Sequence, residues 1–234
     1  MYRLPFLFFN LLFLSESIPS PSDSKKLVYS LKLHLEENFA TIFIVIVCLF
    51  SLKTMNLWHD LPSGNKKNIN VVIEIPKLSH IKYELDKNSG IIKIDRTLPL
   101  IMRFPINYGF VPRTLWYDSD PLDVLVLSSK PHSKKSVIEA RPVGMLNMID
   151  GGKSDVKIFA VPAKDFEFKK INDISDIESE LLKEIQHFFR IYKKHEKKNT
   201  IVKNWEGKQK ALKIIKKSIK LYKEKYRETP PARQ

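Results

Sequence analysis

The sequence predicts a mainly β domain followed by helices, and three features carry that expectation. Short β-branched runs separated by turn residues fill the middle of the chain, at residues 70–75 (NVVIEI), 82–86, 91–95, 124–128, 137–143 and 156–161. Beyond them, Ile177, Leu181, Ile185, Phe188 and Tyr192 recur at three- and four-residue steps, the period of one helix face. Glycine is scarce, at 7 of 234 residues, which excludes collagen-like and glycine-rich low-complexity readings, and no internal repeat is visible. Short strands with turns between them form a small barrel or sandwich.

Each element has a local reason. The run 70–75 stops at Pro76, which cannot donate to a ladder. Residues 82–86 (KYELD) and 91–95 (IIKID) flank Lys87–Asn88–Ser89–Gly90, a hairpin in which Gly90 supplies the turn conformation. Ser175 followed by Glu178 has the spacing of a capping box and sets the start of the first helix. A second helix is expected over about residues 207–226, with Leu212, Ile215, Ile219, Tyr222 and Tyr226 as its apolar stripe and lysine on the other face; Thr229-Pro230-Pro231 ends it.

Residues 1–54 read differently. Residues 4–14 (LPFLFFNLLFL) form an apolar run behind Arg3, like the hydrophobic part of a signal peptide. Residues 40–52 (ATIFIVIVCLFSL) form a second run, shorter than the roughly 18 residues that span a bilayer. The stretch is a leader of signal or anchor character, or an extension foreign to the working protein. Residues 55–234 form the single folded domain, beginning where Met55 opens a globular composition.

The formal net charge is +14, which suits an anionic partner or a lysine-rich solvated surface. Cys48 is the single cysteine, so a disulfide framework is excluded, and no Asn-x-Ser/Thr acceptor occurs. Both facts fit a reducing compartment. The expected location is therefore the cytoplasm, with an organellar or membrane-tethered form as the alternative if residues 1–54 direct it.

The sharpest feature is Asp118-Ser119-Asp120-Pro121-Leu122-Asp123 beside an apolar strand. In extended chain Asp118 and Asp120 share a face, and Pro121 bends Asp123 toward the same space. Carboxylates held this closely repel, and a hard divalent cation relieves the repulsion. An EF-hand calcium loop is excluded: counted from Asp118, its glycine position is Asp123 and its terminal glutamate position is Ser129. A second acidic pair, Asp150 and Asp155, brackets a Gly151-Gly152 turn before a strand. Lys82, Arg96 and Lys157 at strand ends and Lys193 at a helix end supply cations, and metals facing lysine and arginine suit a polyphosphate.

Taken together these residues resemble the soluble family I inorganic pyrophosphatases. The signature Asp-x-Asp-Pro-hydrophobe-Asp is met by DSDPLD. VVIEIP at 71–76, KYELDK at 82–87, Asp95-Arg96, NYGF at 107–110, RPVG at 141–144 and FFRIYKK at 188–194 follow in the right order. The resemblance runs from about Trp58 to Tyr226. It implies a five-stranded OB-like closed barrel with helices packed outside, and magnesium-dependent hydrolysis of pyrophosphate by a water bridging metal ions. It further implies several Mg2+ ions per site, held by Asp118, Asp123, Asp150, Asp155 and Glu74. Asp120 becomes the general base, with Tyr108 beside it. Lys82, Glu84, Arg96, Tyr108, Lys157, Tyr192 and Lys193 become the substrate-binding set. A homo-oligomer is expected, nucleic acid is not a partner, and membrane contact is expected if the leader is kept. Phe104 departs from the tyrosine usual in the family, which implies one lost polar contact in or near the pocket and a modest loss of activity. Gly151 departs from the acidic or amide residue often found there.

Two other readings are weaker. A nucleic-acid-binding OB module is supported by the lysine-rich last helix, but an acidic pocket repels a phosphate backbone. An inactive membrane-tethered scaffold has no reason to keep so many like charges together.

Overall fold

Strand alternation decides this architecture. The computed structural model describes residues 55–65, 67–194 and 200–226. The chain divides into Met1–Thr54 and Met55–Gln234. All described residues belong to the second unit, so the expectations for the leader, Cys48 and Thr229-Pro230-Pro231 lie outside them.

The strands are β1 (Ile69–Ile75), β2 (Ile81–Leu85), β3 (Ile92–Thr97), β4 (Asn107–Val111), β5 (Leu122–Val126), β6 (Val137–Asp150), β7 (Lys153–Ser154), β8 (Lys157–Pro162) and β9 (Thr200–Gly207). The helices are α1 (Ser179–Ile191) and α2 (Lys208–Lys225). β1 pairs with β4 and β4 with β5, both antiparallel. β5 then pairs in parallel with β8, β8 antiparallel with β6, and β6 returns to β1 through Ile69–Ala140 to Val72–Val137. The result is the expected five-stranded OB-like closed ring, with no exposed edge between its members. β9 extends β6, and β2 with β3 forms a separate two-stranded sheet.

Period-two alternation sorts the ring residues. Val71 and Ile73 on β1, Val124 and Val126 on β5, and Ile158 and Ala160 on β8 turn to one side, where Ala211 and Ile215 of α2 pack against them. Leu125 on β5 and Phe159 and Val161 on β8 turn the other way and meet Ile185, Phe188 and Phe189 of α1. Each of the valine, leucine, isoleucine and phenylalanine side chains among them, fully buried, contributes about 1.5–3 kcal/mol relative to exposure. β1 and β4 approach so closely that a Cβ on Gly109 would stand 2.0 Å from the Val72 carbonyl oxygen. Pro142 lies within β6 where the register to β8 shifts between Pro142 and Gly144, a bulge that accommodates the missing donor.

Several sequence expectations need correction. The capping box is not made by Ser175 and Glu178. Glu178 precedes α1 without a side-chain cap, and the reciprocal pair is Asp173 with Asp176 around a single 3-10 turn, Ile174–Asp176. β4 and β9 were not expected as strands, and β6 runs seven residues beyond the predicted end at Val143. Gly90 does adopt the left-handed conformation, at φ 69°. No helix among the described residues is long and apolar enough to cross a membrane.

Candidate active site

The parallel pairing of β5 with β8 builds the centre of the site. Its register sets Asp123 beside Lys157 on the face away from Val124 and Ile158. The Lys157 ammonium, 3% exposed, donates to Asp123 Oδ2 at 2.6 Å and also to Asp155. The loop from β4 to β5 then delivers Asp118 and Asp120. It is clasped at Thr114, whose hydroxyl donates to the Val111 carbonyl (2.6 Å) and accepts from the Leu122 amide (2.9 Å). Asp118 Oδ1 accepts from the Asp120 amide at 3.0 Å, while Ser119 holds φ 74°, left-handed backbone that a serine adopts at a cost.

Asp150 ends β6. Gly151 and Gly152, at φ 53° and 79°, turn the chain back into β7. A Cβ on Gly151 would meet nothing within 4 Å, so its glycine serves the turn geometry. Asp150 accepts from Lys193, just past α1, and from the Thr200 hydroxyl at 3.1 Å. From the other side the β2–β3 hairpin contributes Lys82, which bonds Glu84 Oε2 at 3.0 Å and Asp95 Oδ2 at 2.6 Å.

These parts enclose one cavity of about 180 Å³. Its acidic lining is Glu74, Glu84, Asp118, Asp120, Asp123, Asp150 and Asp155; its basic lining is Lys82, Lys157 and Lys193, with Tyr108 and Tyr192 beside them. Every residue expected at the site therefore faces a common space except Arg96. Arg96 stands opposite Lys82 in the hairpin register and donates from Nη1 to Asp95 at 2.7 Å, one residue back from the lining. Phe104 is likewise not in the lining. It is 1% exposed and packs 4.9 Å from the Phe188 ring and 6.0 Å from that of Tyr108. Position 104 therefore lies near the pocket, against Tyr108, and not in its lining.

Sequence reasoning gave no role to three residues. Lys87 reaches from the β2–β3 turn to Asp120 Oδ1 at 2.5 Å, Asp95 joins Lys82 to Arg96, and Thr200 steadies Asp150. Asp95 belongs to the quoted Asp-Arg piece and faces Lys82 across the hairpin, so that pairing could have flagged it, whereas the partner of Lys87 lies outside the hairpin.

The electrostatics reflect the crowding. Burial, joined by the charges of Asp120 and Asp155, pushes Asp118 up to about 6. Burial pushes Asp123 up to about 7, with Asp155 adding and Lys157 opposing. Glu74 is held well above the usual carboxylate range by burial and by Asp123, although its Oε1 accepts from the Leu85 amide at 2.8 Å. Burial works against a charge on Lys157, yet Asp123 and Asp155 outweigh it and hold the ammonium well above its ordinary value. Burial alone would raise Asp150, but the Lys193 bond and charge bring it below.

Among the described residues, no three His, Cys, Asp or Glu side chains converge tightly enough to grip an ion as they stand. Lysine ammonium groups sit on the oxygens of Asp123, Asp155, Asp150 and Asp120. The donor set nonetheless fits a hard divalent cation, being all oxygen and crowded, with burial and like charge raising Glu74, Asp118 and Asp123. The lysines interleaved with it in the same lining are fixed cations that suit a compact, multiply charged anion.

The chain was compared with known proteins. The family model described as inorganic pyrophosphatase matches residues 71–223. Soluble inorganic pyrophosphatase 2 of Chlamydomonas reinhardtii is 45% identical over 171 residues, covering 72% of this chain and 89% of the relative. The soluble inorganic pyrophosphatase of Zea mays is 47% identical over 167 residues, covering 70% and 78%. Among solved structures, the Thermus thermophilus inorganic pyrophosphatase superposes with a TM-score of 0.69 at 41% identity, covering 72% of this chain and 99% of that one. The Helicobacter pylori enzyme gives 0.66 at 44%, covering 70% and 98%. With sequence, ring topology and acidic cavity in agreement, this chain belongs to the inorganic pyrophosphatase family.

Proposed function

We propose that this chain hydrolyses inorganic pyrophosphate to two orthophosphates, with Mg2+ as its cofactor and water as the attacking group. The observation that carries the reading is the cavity itself, in which carboxylates from β1, the β4–β5 loop, β5 and the segment between β6 and β8 face Lys82, Lys157 and Lys193. Asp118, Asp123, Asp150, Asp155 and Glu74 would hold the metal. Bound there, magnesium would offset the charge of the diphosphate and lower the pKa of the attacking water.

The residues of the chain have separable tasks. Lys82, Lys157, Lys193, Tyr108 and Tyr192 bind and orient the phosphate oxygens, Glu84 lines the same side, and Arg96 supports Lys82 through Asp95. Asp120 accepts the proton of the attacking water as the bond to the near phosphorus forms and the P–O–P bridge breaks, with the second phosphate leaving. Asp120 sits on a loop clasped by Thr114 and is partnered by Lys87, so its carboxylate is placed before substrate arrives. The enzyme is expected to act in the cytoplasm as a homo-oligomer.

The test is phosphate release from pyrophosphate with and without Mg2+, in the parent chain and in Asp120→Asn and Asp123→Asn. Release that requires Mg2+ and falls by two or more orders of magnitude in both variants supports the assignment. Full activity in both variants sinks it.

A further inference from the structure

The face of α2 turned away from the ring is a lysine surface with no part in the cavity. Ala211, Ile215 and Ser218 bury the inner face of the helix. Lys213, Lys216, Lys217, Lys220 and Lys223 are exposed and recur at three- and four-residue steps. They therefore stand in one stripe about 15 Å long. Among the described residues of this helix, Lys220 alone has a carboxylate partner, Glu224 at 3.6 Å, and both are well exposed, so the pairing neutralises little. Lys217 extends over the half-exposed Tyr117 ring, 4.9 Å from its centroid, which sets an amphipathic aromatic beside the stripe. None of these residues lines the acidic cavity.

We propose that this stripe docks the protein on an anionic lipid surface. Clustered lysines on one helix face are drawn to negatively charged headgroups, each adding to the attraction within a Debye length of the surface. A second observation favours a bilayer over nucleic acid. A single-stranded nucleic acid needs a groove with successive stacking rings, whereas this stripe is the convex face of one helix.

The experiment is co-sedimentation of the full chain with phosphatidylcholine vesicles, with and without phosphatidylserine, over a salt series. The parent is expected to bind the phosphatidylserine vesicles more tightly, and the excess should vanish at high salt. Replacing all five lysines by glutamine should weaken binding to the anionic vesicles by about tenfold or more. Replacing all five by arginine should preserve it, and pyrophosphate hydrolysis should be unchanged in both variants. The proposal is overturned if the parent binds both vesicle types equally, if the glutamine variant matches the parent on anionic vesicles, or if a single-stranded oligonucleotide displaces the parent from them.

Discussion

Lys87 Nζ lies 2.5 Å from Asp120 Oδ1, tying the turn of the β2–β3 hairpin to the acidic loop between β4 and β5. Both side chains are about two-fifths exposed, so the pair adds little to stability, less than about 1 kcal/mol. Its value lies in fixing the Asp120 carboxylate. Lys87→Met is expected to leave the thermal midpoint nearly unchanged and to lower the turnover of phosphate release several-fold, with Lys87→Arg restoring most of it. A fall in midpoint matching the fall in rate would show a structural role instead.

Lys157 makes the opposite prediction. It is almost fully buried against Asp123 and Asp155, so Lys157→Met leaves two largely buried carboxylates without their cation. Removing one partner of a buried pair costs about 3–5 kcal/mol. Urea denaturation of the variant without added metal should show a loss of that order, and Mg2+ should recover part of it.

Phe104→Tyr puts a hydroxyl into a buried aromatic cluster behind the cavity lining. An unsatisfied buried donor costs about 1–3 kcal/mol. The expected result is lower stability, with phosphate release within about twofold of the parent. A clear rise in turnover would show that the added hydroxyl reaches the substrate.

His59 gives the fold an acid sensitivity away from the site. Its Nδ1 is 2.6 Å from Tyr222 Oη, and its ring stacks on Trp58. Burial holds the imidazole below its ordinary value of 6.5, with Arg113 adding to the effect and Asp60 opposing it. The unfolded chain therefore takes up a proton at higher pH than the folded one, and acid favours unfolding. The contribution is complete above about pH 6.5 and is lost as the pH falls through the folded value. His59→Gln should flatten the pH dependence of the thermal midpoint below pH 6.5, a change that a pH series of melting curves reads directly.

Local signals were legible and distant pairings were not. DSDPLD announced its loop because charge density is a property of six adjacent residues, and Gly90 announced its hairpin because the turn conformation is nearly its own. β4 was obscured by Asn107 and Gly109. Neither fits strand propensity, yet Gly109 is demanded by the close approach of Val72 and Asn107 is buried, its amide donating to Ser128 Oγ at 2.9 Å. β9 was obscured because its partner, the far half of β6, lies some fifty residues away. The Ser175–Glu178 spacing matched a capping box, but the Asp173–Asp176 pair three residues apart made the bond first. The contact of Lys87 with Asp120 depends on how the hairpin meets the ring, and nothing in either segment alone specifies it.

The parallel union of β5 and β8 carries a constraint on how this chain can change. Since both strands run the same way, both aspartate-bearing approaches arrive at one rim, and the long excursion through β6 exists to bring the chain back to that starting side. Side chains along β8 obey a parity: Lys157 and Phe159 are odd steps that look out, Ile158 and Ala160 even steps that look in. One residue inserted after Asp155 would invert that parity, turning the ammonium to the face of Val124 and Val126 and an isoleucine toward the cavity. Between Asp155 and Phe159 the spacing is therefore as fixed as the residues themselves.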